Sequence, residues 1–224
     1  MNAPTGRAER IGIVLTRHWV ALLVSGLLFY SSLPFLAPVL MKAGAPGPAQ
    51  LIYTVYRFTC HTYAFRSFFL FGERVEYPRG EGDGVFERAT GINPGTVEGT
   101  LAARDFLGNE TVGYKVALCE RDVAIYFAMA LNGILFAQTR RRAKPLPWWL
   151  FILLGIVPIG LDGFSQLFSQ PPLNLISFRE STWWLRLLTG ALFGTSVAWL
   201  IFPLIQEGFI TPGGAEREAT PAQP

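Results

Sequence analysis

The chain has 224 residues, half of them hydrophobic and 16% charged, with a formal net charge of +3. Length alone would suit one or two soluble domains. The apolar residues, however, gather into runs long enough to cross a hydrocarbon core, which takes about 20 helical residues, and this excludes a soluble reading.

The sequence predicts an all-α polytopic membrane helical bundle with four transmembrane helices plus one interfacial or re-entrant helix. Residues 1–17 form an N-terminal tail bearing Arg7, Arg10 and Arg17. The first span covers about 18–41, with Pro34 and Pro38 expected to bend it. It is too long for a typical signal-peptide core. Residues 51–71 are apolar but contain Arg57, His61 and Arg66. Those charges are costly at mid-bilayer, so this segment is read as interfacial or re-entrant.

Residues 76–112 are the aqueous stretch, a loop around Pro78-Arg-Gly-Glu-Gly-Asp-Gly. Alternation in Gly95-Thr-Val-Glu-Gly-Thr-Leu-Ala predicts a short strand or hairpin. The second span covers about 114–138 and carries Lys115, Glu120, Arg121 and Asp122 in its first two turns. The third covers 147–168, with Pro158 inside, and the fourth 183–206. In the fourth, the small residues of Thr189-Gly-Ala-Leu-Phe-Gly-Thr195 favour close helix packing. The tail 207–224 reads as disordered. Trp19, Trp148, Trp149, Trp183 and Trp184 fall at span ends, where indoles prefer to sit.

Charge sets the orientation. The most basic stretch, Thr139-Arg-Arg-Arg-Ala-Lys-Pro, and the arginine-bearing N-terminus are expected in the cytoplasm. Four spans satisfy both, with each terminus inside the cell inner (plasma) membrane and residues 42–113 and 169–182 outside. The basic balance is explained by these inner loops and needs no nucleic acid. The expected partners are the lipid bilayer and other membrane subunits.

Under that topology nearly every polar residue in or beside a span faces outward. Cys60, His61, Arg66 and Ser67 lie in the outer segment. Cys119, Arg121 and Asp122 begin the second span. Asp162 and Gln166 lie in the outer half of the third, and Arg179, Glu180 and Arg186 around the start of the fourth. Intramembrane ionisable residues are functional candidates by default. Cys119 and Asp122, three apart, share a helix face, with Tyr126 one turn below. With Cys60 and His61 they could supply four ligands of the kind zinc takes. Alternatively, two cysteines on an oxidising face form a Cys60–Cys119 disulfide, or pack as unlinked thiols. Asp162 pairs with Arg121 or Arg186 to lock the bundle, or serves a proton relay or substrate.

Four stretches carry a resemblance: Cys60-His61 with Arg66-Ser-Phe-Phe-Leu-Phe-Gly72; Cys119-Glu-Arg-Asp-Val-Ala-Ile-Tyr126; Leu161-Asp-Gly-Phe-Ser-Gln166; and Arg179-Glu-Ser181 with Trp184-Leu-Arg-Leu-Leu-Thr-Gly190. In their order and spacing the chain resembles a family of small bacterial integral membrane proteins classed as a domain of unknown function (DUF2085). The resemblance implies a multi-span membrane protein and no known activity. Many members look like Cys-x-Arg-Cys where this chain has Cys119-Glu-Arg-Asp122, so a carboxylate stands here in place of a thiolate. Three functions stay open. One is an outer-face metal-binding or redox-responsive site, with zinc as the cofactor and Arg121 and Asp162 behind the ligands. Another is an accessory subunit of a larger membrane complex. The third is a small transporter or membrane enzyme using Asp162.

Overall fold

The computed structural model describes residues 6–80, 84–170 and 173–210. In chain order the elements are α1 (Arg7–Lys42), α2 (Pro46–Arg57), β1 (Ser67–Leu70), α3 (Val85–Thr90), α4 (Val97–Asp105), β2 (Gly108–Asn109), β3 (Gly113–Cys119), α5 (Glu120–Gln138), α6 (Trp148–Phe168) and α7 (Trp183–Ile210). The chain is mostly helical, and three helices are long and apolar enough to cross a membrane: Arg10–Lys42, Trp148–Phe168 and Trp183–Phe209. The helices leave large apolar side chains exposed along their length, Phe29, Leu131, Leu161 and Phe164 among them. A water-soluble monomer rarely shows so much contiguous apolar surface.

The second predicted span is corrected. Residues 113–119 form a strand, and the helix begins only at Glu120. Periodicity cannot separate a short apolar strand from the start of a helix, and here the hairpin before it decides. The Asn109 side chain accepts from the amides of Thr111 and Val112 at 2.9 Å each, closing the β2–β3 turn. The all-α reading is corrected with it, since a three-stranded antiparallel sheet of order β1-β3-β2 sits at one end of the bundle.

Residues 51–71 are not one helix. α2 starts earlier, at Pro46, and ends at Arg57; the remainder makes a turn and β1. α2 buries Ala49, Ile52, Tyr53 and Tyr56 and exposes Leu51 and Val55. The aqueous stretch 76–112 holds more than loop. α3 and α4 close over a core of Phe65, Phe69, Tyr77, Phe86 and Ala103. The strand expected near residue 97 is helix α4, because the Thr96 hydroxyl accepts from the Gly99 amide at 3.0 Å and caps it. The N-terminal tail is helical from Arg7, and α7 continues to Ile210. Residues 211–224, most of the expected disordered tail, lie outside the described residues, as do 81–83 of the glycine-rich loop.

Helix α5 packs between α1 and α7. A Cβ on Gly133 would come within 2.5 Å of Val24 and 2.8 Å of Phe202, and one on Gly194 within 2.3 Å of the Ile125 carbonyl oxygen. Only glycine lets these backbones approach so closely. Trp19 is a departure from the interfacial expectation. It is buried against Phe136 and Phe202, and its indole N–H donates to Gln206 at 3.2 Å. Pro34 in α1 has no N–H for the Tyr30 carbonyl, and the Tyr56 hydroxyl of α2 donates there instead. That bond fastens α2, and the Cys60 segment after it, to the bundle.

Candidate functional site

The β1–β3 ladder makes the site. Its register sets Ser67 opposite Cys119, so the segment entering β1 lies beside the strand-to-helix junction at residues 119–122. Cys119 ends β3 with extended backbone and is the N-cap of α5. Asp122 stands in the first turn of that helix, where the exposed amides favour a carboxylate. Cys60 follows α2, its amide donating to the Tyr56 carbonyl at 3.0 Å. Two residues on, Thr62 has φ 49°, a costly conformation for a β-branched residue. The Lys115 Nζ donates to the Thr62 carbonyl at 2.9 Å and to the Arg104 carbonyl at 2.8 Å.

One ligand atom each from Cys60, Cys119 and Asp122 lies within 4.8 Å of the others. Both cysteines are free thiols, so the expected Cys60–Cys119 disulfide is not formed. Their acidities diverge. The hydrogen bond from the Cys119 thiol lowers the Cys60 pKa against the opposing effects of burial and Asp122. The same bond, with burial, pushes Cys119 up. A cleft of about 500 Å³ opens on the three groups, with His61, Arg66, Arg121 and Arg186 in its walls.

Behind the cleft lie two charge networks. Glu180 accepts from three arginines: Arg66 at 2.8 and 3.1 Å, Arg79 at 2.6 Å, and Arg186. Gln170 donates to it at 3.3 Å. Arg186 also donates to Glu120 at 2.9 Å, in a pair that is almost wholly buried. Asp162 is buried and pairs with Arg121, and with Arg179 at 3.0 Å. Gln166 orients it, donating at 3.2 Å to the carboxylate and 3.0 Å to the main-chain carbonyl.

Of the four expected ligands, three converge. His61 does not join them; it is exposed and stacks on Tyr63 at 5.6 Å between ring centroids. Tyr126 packs edge-on against Tyr30, and the Ser67 hydroxyl donates to the Tyr63 carbonyl at 2.9 Å, so neither reaches the thiols by these contacts. Arg66, Arg121, Asp162, Gln166, Arg179, Glu180 and Arg186 all belong to the networks. Sequence reasoning missed Glu120, Arg79 and Lys115. Glu120 was read only as one of the charges in the first two turns of the second span, and Arg79 lies in the long loop after β1, where nothing in the residue order links it to Glu180.

A family model described as "Predicted membrane protein (DUF2085)" matches residues 104–200. That stretch holds Cys119, Asp122, Asp162, Glu180 and Arg186, while Cys60 and Arg66 precede it. The chain is also similar to an uncharacterized protein of Methanocaldococcus jannaschii, 26% identical over 201 residues, covering 86% of this chain and 96% of the relative. That relative is archaeal, so the resemblance does not fix a bacterial origin. No solved structure matches. The family description agrees with the apolar helices on a membrane protein, and neither comparison assigns an activity.

Proposed function

We propose that this chain is a four-span plasma-membrane protein that holds a zinc-class divalent metal at its outer face through Cys60, Cys119 and Asp122. The observation that carries this reading is the meeting of those three ligand atoms within 4.8 Å, drawn from two segments far apart in sequence. Two thiolates and a carboxylate are donors zinc accepts, and three protein ligands leave a fourth position for water or substrate. The cleft gives that position access from solvent. Two thiolates and a carboxylate would leave a divalent ion with net negative charge, which Arg121 and Arg186 in the cleft walls offset.

In this reading α5 is the fourth span, charged only in its first turn and packed between α1 and α7. α2 lies at the outer interface with Leu51 and Val55 toward lipid. Both termini and the Arg140–Lys144 loop are cytoplasmic. Titration with Co(II) under reducing conditions tests the site. A thiolate-to-cobalt charge-transfer band should develop in the wild type and vanish in Cys60→Ser and Cys119→Ser. Absence of the band in reduced wild-type protein would overturn the reading.

The unequal acidity of the hydrogen-bonded thiols favours a second reading, a redox-responsive pair with Cys60 as the attacking thiolate. It predicts that an added diazene oxidant joins Cys60 to Cys119 in metal-free protein, and that a dithiol reductant restores both.

A further inference from the structure

At the end of the bundle opposite the cysteines, α5 and α7 part around an apolar groove of about 200 Å³. Leu135, Phe136, Ala198, Trp199 and Pro203 wall it, and Thr139 stands at its rim. A proline stands in its wall. Pro203 has no N–H, so the Trp199 carbonyl loses its helical donor. The Leu146 amide donates to that carbonyl instead at 3.2 Å, and the Trp199 indole N–H donates to the Lys144 carbonyl at 3.2 Å. These two bonds pin the basic loop beside the groove.

The loop is costly to make. Arg140 and Arg141 have φ 55° and 60°, a region unfavourable for any residue with a Cβ. Glycine would relieve both, yet arginines stand there, followed by Arg142 and Lys144. Arg141 donates to the Arg17 carbonyl at 2.7 Å, bringing a further cation to the corner. The side chains of Arg140, Arg142 and Lys144 are exposed and have no ion-pair partner among the described residues. Backbone strain of this kind clusters at ligand clamps and other functional sites.

We propose that this corner seats one anionic phospholipid. An acyl chain lies in the groove between α5 and α7, and the phosphate is held by Arg140, Arg142 and Lys144. This inference needs the membrane-spanning reading of α7 but not the metal site. Charge complementarity selects the occupant. A basic pocket between helices at the cytoplasmic side suits an anionic headgroup, while the walls, Asn132 and Thr139 apart, offer a chain apolar contact. A zwitterionic lipid would leave the cations uncompensated, and a soluble phosphate would leave the groove unfilled. Half-exposed Trp199 fits the headgroup boundary, where indoles are favoured.

Native mass spectrometry of the full chain, released from mild detergent after equilibration with phosphatidylglycerol or phosphatidylcholine at equal mole fraction, tests the proposal. The wild type should retain a single phosphatidylglycerol and lose phosphatidylcholine. Combined Arg140→Gln, Arg142→Gln and Lys144→Gln should abolish retention. Leu135→Trp, which fills the groove from its exposed rim and leaves every cation, should abolish it too. Equal retention of both lipids by the wild type would overturn the seat, whatever the variants do. Retention that survives Leu135→Trp would reduce it to surface charge, and displacement by glycerol phosphate would make it a headgroup-only anion site; either result overturns the proposal.

Discussion

Glu180→Gln removes a carboxylate on which three arginines meet. The Glu180 side chain is 6% exposed, Arg186 4% and Arg79 9%, whereas Arg66 is 28% exposed. Neutralising Glu180 takes the carboxylate from buried Arg79 and leaves buried Arg186 with Glu120 alone, and removing one partner of a buried pair costs about 3–5 kcal/mol. Arg66→Gln leaves Glu180 with two arginines and removes a partly solvated one, which costs about 0.5–1 kcal/mol after allowance for screening. At roughly 2–4 °C per kcal/mol for a chain of this size, Glu180→Gln lowers Tm by about 6–20 °C and Arg66→Gln by about 1–4 °C. Circular dichroism melts in one mild detergent at pH 7 measure both. Burial pushes the Glu180 carboxyl up, but Arg66 foremost, with Arg79 and Arg186, outweighs it and holds the group below the usual carboxylate range. A depressed folded-state pKa contributes stability that is complete above the unfolded value of about 4.3 and is lost as pH falls through the folded value. The gap between wild type and Glu180→Gln should therefore be flat from neutral pH to about 5 and close below about 4. Equal shifts for the two variants, or a gap that closes near pH 6, would refute the reasoning.

Gly194→Ala should destabilise by about 1–3 kcal/mol, since its Cβ would meet the Ile125 carbonyl and force α5 from α7; the same melts read it. Burial, above all, brings the Lys115 amine down to about 7, and neutral it still has the two N–H donors its carbonyl partners need. Between that value and the unfolded pKa of about 10.4 the unfolded chain binds more protons, so stability should rise with pH from about 7 to 9. Lys115→Met should abolish the rise. For topology, Arg142→Cys in a Cys60→Ser, Cys119→Ser background should react with a membrane-impermeant maleimide only after permeabilisation. Cys at the exposed position of Glu98→Cys should react in intact cells; labelling in the opposite order would invert the orientation.

The long apolar runs were legible because a membrane helix writes its length directly into hydropathy, and three of them stand as helices of spanning length. The gathering of Asp162, Glu180 and Arg186 into ion-pair networks was legible for a related reason, since charge near an apolar run is too costly to be incidental. The sheet was not. Tyr114 to Leu118 is as apolar as the helix that follows, and its strand identity comes from pairing with β1, more than forty positions earlier in the chain. That pairing also set the fate of the candidate ligands. Cys60 and Cys119 meet because Ser67 lies opposite Cys119, and His61, adjacent to Cys60, turns outward onto Tyr63. No spacing within either segment encodes that turn. Arg79 escaped notice because a long-range ion pair leaves no local pattern at either end.

The central claim is the metal site, and its most direct test is metal content and thiol reactivity measured on one anaerobic, detergent-purified sample. The account predicts about one zinc-class ion per chain, both thiols slow to react until a chelator is added, and loss of the ion in Cys60→Ser, Cys119→Ser and Asp122→Asn. Protein that carries no metal after zinc is supplied, with Cys60 and Cys119 reacting at once and unaffected by chelator, would contradict it.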